Sequence, residues 1–290
     1  MSMKISEKLV WIIFISSLVV ISIECLGILV GVQMRDYLWF RVLFLGLPIL
    51  LLITHSIVTL TSSRTLFLIA LSLLAGLRVE AWGLSSGTLF GGHYVYHFGQ
   101  FTIAGIPLEV VSYWSVFIYS GYSIVSSFFY WAHKEKPSII RRNVWFLPIA
   151  IVCDGLVVTA IDLFMDPLLV KLGHWTWIEG GSYFGVPLGN FVGWFVVTVF
   201  VTGIFRTFEY FFPDTKTAFS KSIFLIPILG YAVLMLSFIF LSIQCKMYDL
   251  ALIGTALMLS TIVVNIYVVH LRERFSFDRG SAHESPVERV

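Results

Sequence analysis

The run LVWIIFISSLVVISIECLGILVGV, residues 9–32, decides the fold class of this chain. A bilayer has a hydrocarbon core about 30 Å thick, which a helix of about 20 apolar residues can cross. This run is 24 residues long and carries one charged side chain, Glu24. It is too long for the apolar core of a signal peptide, and it lacks a small-residue cleavage site. We therefore expect a membrane-spanning helix that is retained.

The composition extends this interpretation to the whole chain. Of the 290 residues, 58% are hydrophobic and 12% are charged, and the mean hydropathy is +0.90. A soluble domain of this size needs more charge to cover its surface. Eight segments are long and apolar enough to span a bilayer. They are residues 9–32, 38–60, 65–84, 105–131, 144–165, 186–210, 220–243 and 249–270.

These segments predict an all-α, polytopic membrane protein with about eight transmembrane helices. We expect a single integral membrane domain, residues 1–271, followed by a polar and disordered cytoplasmic tail, residues 272–290. A net charge of +2 without a basic cluster argues against a nucleic-acid partner. The three cysteines, Cys25, Cys153 and Cys245, stand alone in apolar sequence and indicate neither a metal site nor a disulfide.

Basic residues in the predicted loops indicate the orientation of the spans, because such residues collect on the cytoplasmic side. Fourteen Lys and Arg fall on one side of the membrane and four on the other, and Arg78 lies within a span. The fourteen are Lys4, Lys8, Arg64, Lys134, Lys136, Arg141, Arg142, Arg206, Lys216, Lys221, Arg272, Arg274, Arg279 and Arg289, and the four are Arg35, Arg41, Lys171 and Lys246. We expect a multi-pass protein of the cell membrane with both termini in the cytoplasm.

Two long loops on the opposite side repeat one phrase. The first is GHYVYHFGQFTIAGIPLEVVSYW, residues 92–114, and the second is GHWTWIEGGSYFGVPLGNFVGW, residues 173–194. Each begins Gly-His-aromatic-x-aromatic, continues to Gly-x-Pro-Leu and ends at a Trp. An acid precedes each histidine, Glu80 by 13 residues and Asp162 by 12. This pattern indicates an internal duplication of a helix–acid–aromatic loop–helix unit, roughly residues 65–131 and 144–210.

Carboxylic acids and aromatic rings gather in the outer half of the predicted spans. Ionisable residues inside a bilayer are costly and by default mark function. A carboxylic acid in apolar surroundings keeps its proton and can act as a general acid, while aromatic faces stabilise a cation without attacking it. This combination suits protonation of an alkene to a carbocation, which water would quench to an alcohol or a neighbouring double bond would close to a ring. The acids with neighbouring aromatic residues include Glu80, Asp154, Asp162 and Asp166.

The same residue types also serve structural roles in membrane proteins. Trp and Tyr populate membrane interfaces without taking part in catalysis, and the acids could pair with Arg78 or with backbone amides. His93 and His97 are four residues apart, as metal ligands on one face would be, but no third ligand is evident, so we expect no metal. The chain has neither GxGxxG nor GxxxxGK, so we also expect no nucleotide cofactor.

The motifs resemble those of the membrane carotenoid-biosynthesis family, in particular carotenoid hydratases of the bisanhydrobacterioruberin hydratase type. The downstream motif consists of DLFMDP (162–167), GHWTW (173–177) and YFGVPLGNFVGW (183–194). The upstream copy follows the same family pattern with Glu80, Tyr94-x-Tyr96 and Gly105-Ile106-Pro107. The likeness covers nearly the whole chain and is most specific from the third span to the sixth.

The resemblance implies addition of water to the terminal double bond of a linear carotenoid, giving a tertiary alcohol without a cofactor. By motif position, Asp162 or Asp166 protonates the alkene, and Glu80 is the equivalent acid of the other copy. The remaining implied site residues are Asp154 and His174, one of which acts on the water together with Asn190; Tyr94, Tyr96, Trp175 and Trp177, which flank the cation; and Tyr183 and Trp194. The implied partners are the carotenoid, membrane lipid and other membrane enzymes of the pathway.

One departure keeps a second activity open. GIPLE, residues 105–109, is similar to the Pro-x-Glu-Glu pattern of the membrane lycopene cyclases, but Val110 stands in place of the second Glu. A cyclase would share the protonation step with a hydratase. A carotenoid-binding protein without turnover is the alternative from another functional class. A transporter is disfavoured, since the acids cluster at one depth instead of lining a path across the membrane.

Overall fold

Eight α-helices form the fold in the computed structural model of the chain, which describes residues 4–99, 101–133, 144–213 and 221–281. The helices are α1 (Ile5–Leu29), α2 (Leu38–Thr59), α3 (Ser62–Ser86), α4 (Leu108–His133), α5 (Phe146–Lys171), α6 (Leu188–Phe211), α7 (Ile226–Gln244) and α8 (Tyr248–Ser281). Seven of these described helices are long and apolar enough to cross a membrane. The predicted all-α, polytopic membrane fold is therefore confirmed.

The helix ends differ from the predicted spans at two places that matter. The α5 helix continues past the predicted end at residue 165 to Lys171, with Pro167 inside it, so Asp166 is a helical residue. The α8 helix continues to Ser281, beyond the predicted domain boundary at residue 271. The remaining tail, residues 282–290, lies outside the described residues, and its disorder stays a prediction.

The α4 helix is the one described helix that does not meet the apolar criterion for a span. It carries serines and tyrosines on most of its turns, and several of them are buried, such as Ser115, Tyr119, Tyr122 and Ser127. It packs against α2, α3, α5, α6, α7 and α8. Because neighbouring helices shield it from lipid on many sides, it needs fewer apolar side chains than a helix at the lipid boundary.

The α6 helix shows how a peripheral helix divides its faces between lipid and core. Leu188, Val192, Val196 and Phe200 recur every four residues and are exposed. A stripe of exposed apolar side chains on a spanning helix is the surface that lipid tails cover. The opposite face carries buried residues, among them Asn190, which points at α5.

The two long loops lie on one side of the molecule, which we call the outer side. They form two pairs of short strands, one between the loops and one within the first loop. Strand β1 (Tyr94–Tyr96) pairs antiparallel with β4 (Trp175–Trp177), and β2 (Thr102–Ile103) pairs with β3 (Ile106–Pro107). The two similar phrases of the sequence thus lie directly beside each other. The duplication itself stays a prediction, and the paired strands show that its two proposed copies are in contact.

The two Gly-x-Pro turns also share one backbone conformation. The central residues of the first turn, Ala104 and Gly105, have φ of 52° and 79°, and those of the second, Phe184 and Gly185, have φ of 48° and 88°. Positive φ at both central positions is the type I′ geometry that suits the twist of a β-hairpin. Each turn is followed at once by a helix, α4 after the first and α6 after the second.

The orientation of the helices in the membrane stays a prediction. Among the basic residues on which it rests, Lys134, Lys136, Arg141, Arg142, Lys216 and Arg289 lie outside the described residues. One of the others, Arg206, is not a loop residue, because it is buried within α6. Without Arg206 the count falls from fourteen to thirteen against four, so the predicted sign of the asymmetry does not change.

Candidate functional site

A cavity of about 1000 Å³ runs through the described part of the molecule. It is bounded by α1, α2, α4, α5 and α7 and by the outer loops. On α1 its lining extends from Phe14 to Ile28, a span of about 21 Å at 1.5 Å per residue. Most of the lining is apolar, and the acidic groups of the site lie near its outer end. The cavity therefore has room for an elongated apolar molecule with one end among carboxylic acids.

The paired strands provide the aromatic roof of this outer end. In β1 and β4, Tyr94 lies opposite Trp177, and Tyr96 lies opposite Trp175. Alternate residues of a strand share one face, so all four rings lie on the same side, and all four line the cavity. The ring centroids of Tyr94 and Trp177 are 4.7 Å apart, and those of Tyr96 and Trp175 are 5.9 Å apart.

Glu80 of α3 accepts hydrogen bonds from three side chains at the edge of this roof. The hydroxyls of Tyr94 and Tyr96 each donate to Oε2 at 2.7 Å, and Nε1 of Trp114 donates to Oε1 at 3.0 Å. An indole N–H can only donate, so Oε1 is fixed as an acceptor. Glu80 is buried, yet it lines the cavity. The arrangement is that of a buried hydrogen-bond acceptor held in one position.

The two tyrosine hydroxyls stay protonated and available as donors. Burial raises the pKa of both Tyr94 and Tyr96, and the neighbouring carboxyl groups of Glu80 and Asp166 raise it further. The phenols hydrogen-bond to Glu80 of the first sequence copy and lie close enough to Asp166 of the second to be affected by its carboxyl group.

Asp162 and Asp166 form an acid pair on one face of α5, one turn apart. The amide Nδ2 of Asn190 donates to Oδ2 of Asp162 at 2.9 Å and to Oδ2 of Asp166 at 2.7 Å. An amide has two N–H donors, and here each aspartate receives one. The two carboxyl groups thus accept from the same nitrogen, and both are buried. Because two neighbouring negative charges are costly in apolar surroundings, we expect one of the two groups to carry a proton. Asp166 and Asn190 line the cavity, and Asp162 lies behind them.

A stacked pair of indoles supports Glu80. Trp114 and Trp194 end the two sequence copies, and their ring centroids are 3.7 Å apart with an angle of 12° between the planes. Trp194 lines the cavity, while Trp114 is fully buried and donates to Glu80. A Cβ atom at Gly76 would lie 2.5 Å from the Trp114 ring, so the small residue in α3 makes space for this indole.

Two of the predicted site residues, Asp154 and Tyr183, lie away from the cavity, and a third, His174, lines it without contacting the acids. Asp154 is fully buried and binds Arg206 through both carboxylate oxygens, Oδ2 to Nε at 2.6 Å and Oδ1 to Nη2 at 2.7 Å. It lies eight residues before Asp162 on α5, about 12 Å deeper. Tyr183 packs on Phe191 with ring centroids 5.2 Å apart and does not line the cavity. His174 does line it, and burial followed by the charge of Arg35 lowers its pKa, so it stays neutral.

The remaining candidates of the sequence analysis are paired in the loops. His93 contacts Glu179, with 3.1 Å between Nδ1 and Oε1, and His97 contacts Thr176, with 2.9 Å between Nε2 and Oγ1. Hydrogen bonds from the backbone and ring of His93 lower the pKa of Glu179. These contacts cross between the two loops and fasten the strand pair. Arg78, which the sequence offered as a partner for the acids, is exposed on α3.

Two residues that bind buried acids, Trp114 and Arg206, were not predicted from the sequence as binding partners. Trp114 binds Glu80, and its position at the end of the first copy, equivalent to Trp194, was the available signal. Arg206 neutralises Asp154, but it lies 52 residues away in sequence and follows no motif. Its position five residues inside the end of an apolar helix was the only local sign of burial.

Comparison with known proteins gives one result. A family model described as "Carotenoid biosynthesis protein" matches residues 37–261. This range covers more than half of the chain and contains the whole acidic and aromatic site. No curated protein and no solved structure matches the chain.

Proposed function

Since the chain belongs to the carotenoid biosynthesis protein family, we propose that it adds water to the terminal double bond of a linear carotenoid. The observation that carries this proposal is the placement of a proton-bearing acid pair opposite a carboxylate acceptor under one aromatic roof. Both groups line the end of an apolar cavity. A carotenoid dissolves in the bilayer, so its end group can lie at this point while its chain stays in apolar surroundings.

Asp166 is the proton donor in this proposal. It lines the cavity, and Asn190, which also binds Asp162, holds its carboxyl group in place. The proton moves to the terminal alkene, whose π electron pair forms the new C–H bond and leaves a tertiary carbocation. A positioned carboxylic acid contributes about 10²–10⁴-fold to such a proton transfer. The sequence did not distinguish Asp162 from Asp166 as the proton donor, and we assign this role to Asp166.

The roof and Glu80 act on the cation. The faces of Tyr94, Tyr96, Trp175 and Trp177 stabilise positive charge without forming a bond to it. Glu80 receives only donors from its neighbours, so we assign it the negative charge that faces the cation. This role differs from that of a second acid, which the duplication suggested.

Water capture completes the reaction. The oxygen of a water molecule gives a lone pair to the tertiary carbon, and Glu80 takes the proton that this oxygen loses. Exchange with water at the outer end of the cavity returns one proton to Asp166 and removes one from Glu80. The sum is alkene plus water giving a tertiary alcohol, with no change of redox state.

The test is expression of the chain in cells that accumulate a linear carotenoid, followed by mass spectrometry of the pigments. We expect products heavier by the mass of one water or two. A product of unchanged mass with a shifted absorption band would indicate cyclisation instead. No new product from several linear carotenoids would indicate a carotenoid-binding protein.

The same assay tests the acid. We predict that Asp166→Asn lowers conversion by about a hundredfold or more while the protein accumulates normally in the membrane. Asp249→Asn is the matched control, since it also replaces a carboxylate by an amide, but at an exposed position of α8 that does not line the cavity. Normal conversion by Asp166→Asn would remove this residue from the mechanism.

A further inference from the structure

We propose that the substrate end group enters through the seam between the outer halves of α1 and α7, with α1 as the outer wall of the entrance. This inference rests on the proposed function and names the route by which a membrane-dissolved substrate reaches the same site. It concerns parts of the chain that carry none of the acidic or aromatic motifs.

The seam is a wall of the cavity made of partly exposed apolar side chains. From α1 it contains Ile21, Cys25 and Ile28, and from α7 it contains Leu234 and Leu241. Each of these residues lines the cavity and still retains some exposure. Val19, Ile23 and Leu26, on the other face of α1, are exposed, so at this place the cavity and the surrounding lipid lie on opposite faces of a single helix.

At the inner end, by contrast, the same two helices are closed by a buried cluster. Val10 and Phe14 of α1 pack with Ile226, the first residue of α7, with Ile223 just before it, and with Trp131 of α4. These residues are all buried. Phe14 and Ile226 also line the cavity, but because they are buried, an entrance between α1 and α7 must open in the outer half, where Ile21, Cys25 and Ile28 are partly exposed.

The depth of the seam matches the depth of the reacting groups. Asp166 lies five residues before the outer end of α5, about 8 Å below it at 1.5 Å per residue. Ile21 lies eight residues before the outer end of α1, about 12 Å below it. An end group that slides in between α1 and α7 thus arrives at the level of the acid pair without crossing the headgroup region.

The α1 helix lies outside the region that the family model matches. The match begins at residue 37, so α1, which ends at Leu29, precedes it. The outer end of α1 is fastened to the following loop by an ion pair, with 2.6 Å between Oε1 of Glu24 and Nε of Arg35. The matched region thus supplies the chemistry, and α1 closes the side of the cavity that would otherwise face lipid.

Tryptophan substitutions test the entrance. Ile21→Trp and Leu241→Trp enlarge residues of the seam, whereas Val19→Trp and Leu236→Trp enlarge residues of the same helices that are 52% and 60% exposed. We expect the two seam variants to convert a linear carotenoid at least tenfold more slowly and the two controls to convert it as the unsubstituted protein does. Protein amount and thermal stability are measured for all four.

A short linear isoprenoid with the same terminal double bond, added in detergent, separates entry from chemistry. We expect the seam variants to convert this short substrate normally. Equal conversion of the carotenoid by seam and control variants overturns the entrance, and so does loss of the short substrate in the seam variants. If the unsubstituted protein converts neither substrate, the proposed function itself has failed, which is a distinguishable result.

Discussion

Asp154 and Asp162 are residues of one type on one helix, and their partners give them different roles. Asp154 faces Arg206, whose Nη2 also donates to the carbonyl oxygen of Tyr122 at 3.1 Å and whose guanidinium lies 4.5 Å from the Tyr122 ring centroid. In the described part of the chain, Asp162 forms no ion pair, and it shares the amide of Asn190 with Asp166. Asp154 therefore forms an ion pair that links α5 to α6, whereas Asp162 belongs to the acid pair beside the cavity, which we expect to carry a proton.

This difference predicts the effect of Asp154→Asn. The substitution removes the carboxylate that Arg206 binds through two nitrogens, and breaking a buried ion pair costs about 3–5 kcal/mol. We expect a clear fall in thermal stability in detergent, with conversion per folded molecule unchanged. The double variant Asp154→Leu/Arg206→Leu removes both charges and should recover much of the stability. A stable Asp154→Asn protein without conversion would instead place Asp154 in the reaction.

At the scale of elements, the helices could be predicted and the strands could not. An apolar run of about 20 residues identifies a spanning helix, so each of the eight predicted segments corresponds to a helix, and seven of these helices are apolar enough to span the membrane. The predicted end of α5, at residue 165, was too early. Asp166 and Pro167 are typical of a helix boundary, but the helix continues to Lys171. Strands of two or three residues have too few positions to show an alternating pattern. The two similar phrases therefore indicated a duplication, but not that Tyr94 would pair with Trp177.

The turns offer a test at this scale. Gly105 and Gly46 both have space for a Cβ atom, with no heavy atom within 4 Å, but Gly105 has a φ of +79° and Gly46 is helical. Left-handed backbone costs a residue with a side chain about 1–2 kcal/mol. We predict that Gly105→Ala lowers stability by about this amount and that Gly46→Ala does not, as measured by thermal unfolding. Equal effects would mean that the type I′ turn does not limit stability.

At the scale of the whole molecule, motifs identified the acidic and aromatic residues that meet at the cavity, but not the helices that enclose it. Glu80, Asp166, Asn190 and the strand aromatics come from the two sequence copies, and their residue types already indicated acid and cation chemistry. The long wall of the cavity comes from α1, α2 and α7, which carry no motif. Packing between distant helices determines that wall, and hydropathy alone does not identify which apolar faces meet. For the same reason, the sequence did not predict that Asp154 pairs with Arg206.

The orientation of the molecule in the membrane determines from which side water reaches the acid pair. The basic residues predict that the strand loops face away from the cytoplasm, so water would reach the acid pair from outside the cell and the carotenoid from the lipid. In a variant with Cys25, Cys153 and Cys245 changed to Ser, a single Val95→Cys should react with a membrane-impermeant maleimide in intact cells. Val95 is 46% exposed between the strand aromatics, and Ser63→Cys, exposed at the other end of α3, should react only after lysis. The opposite labelling pattern would invert the molecule and bring the water from the cytoplasm.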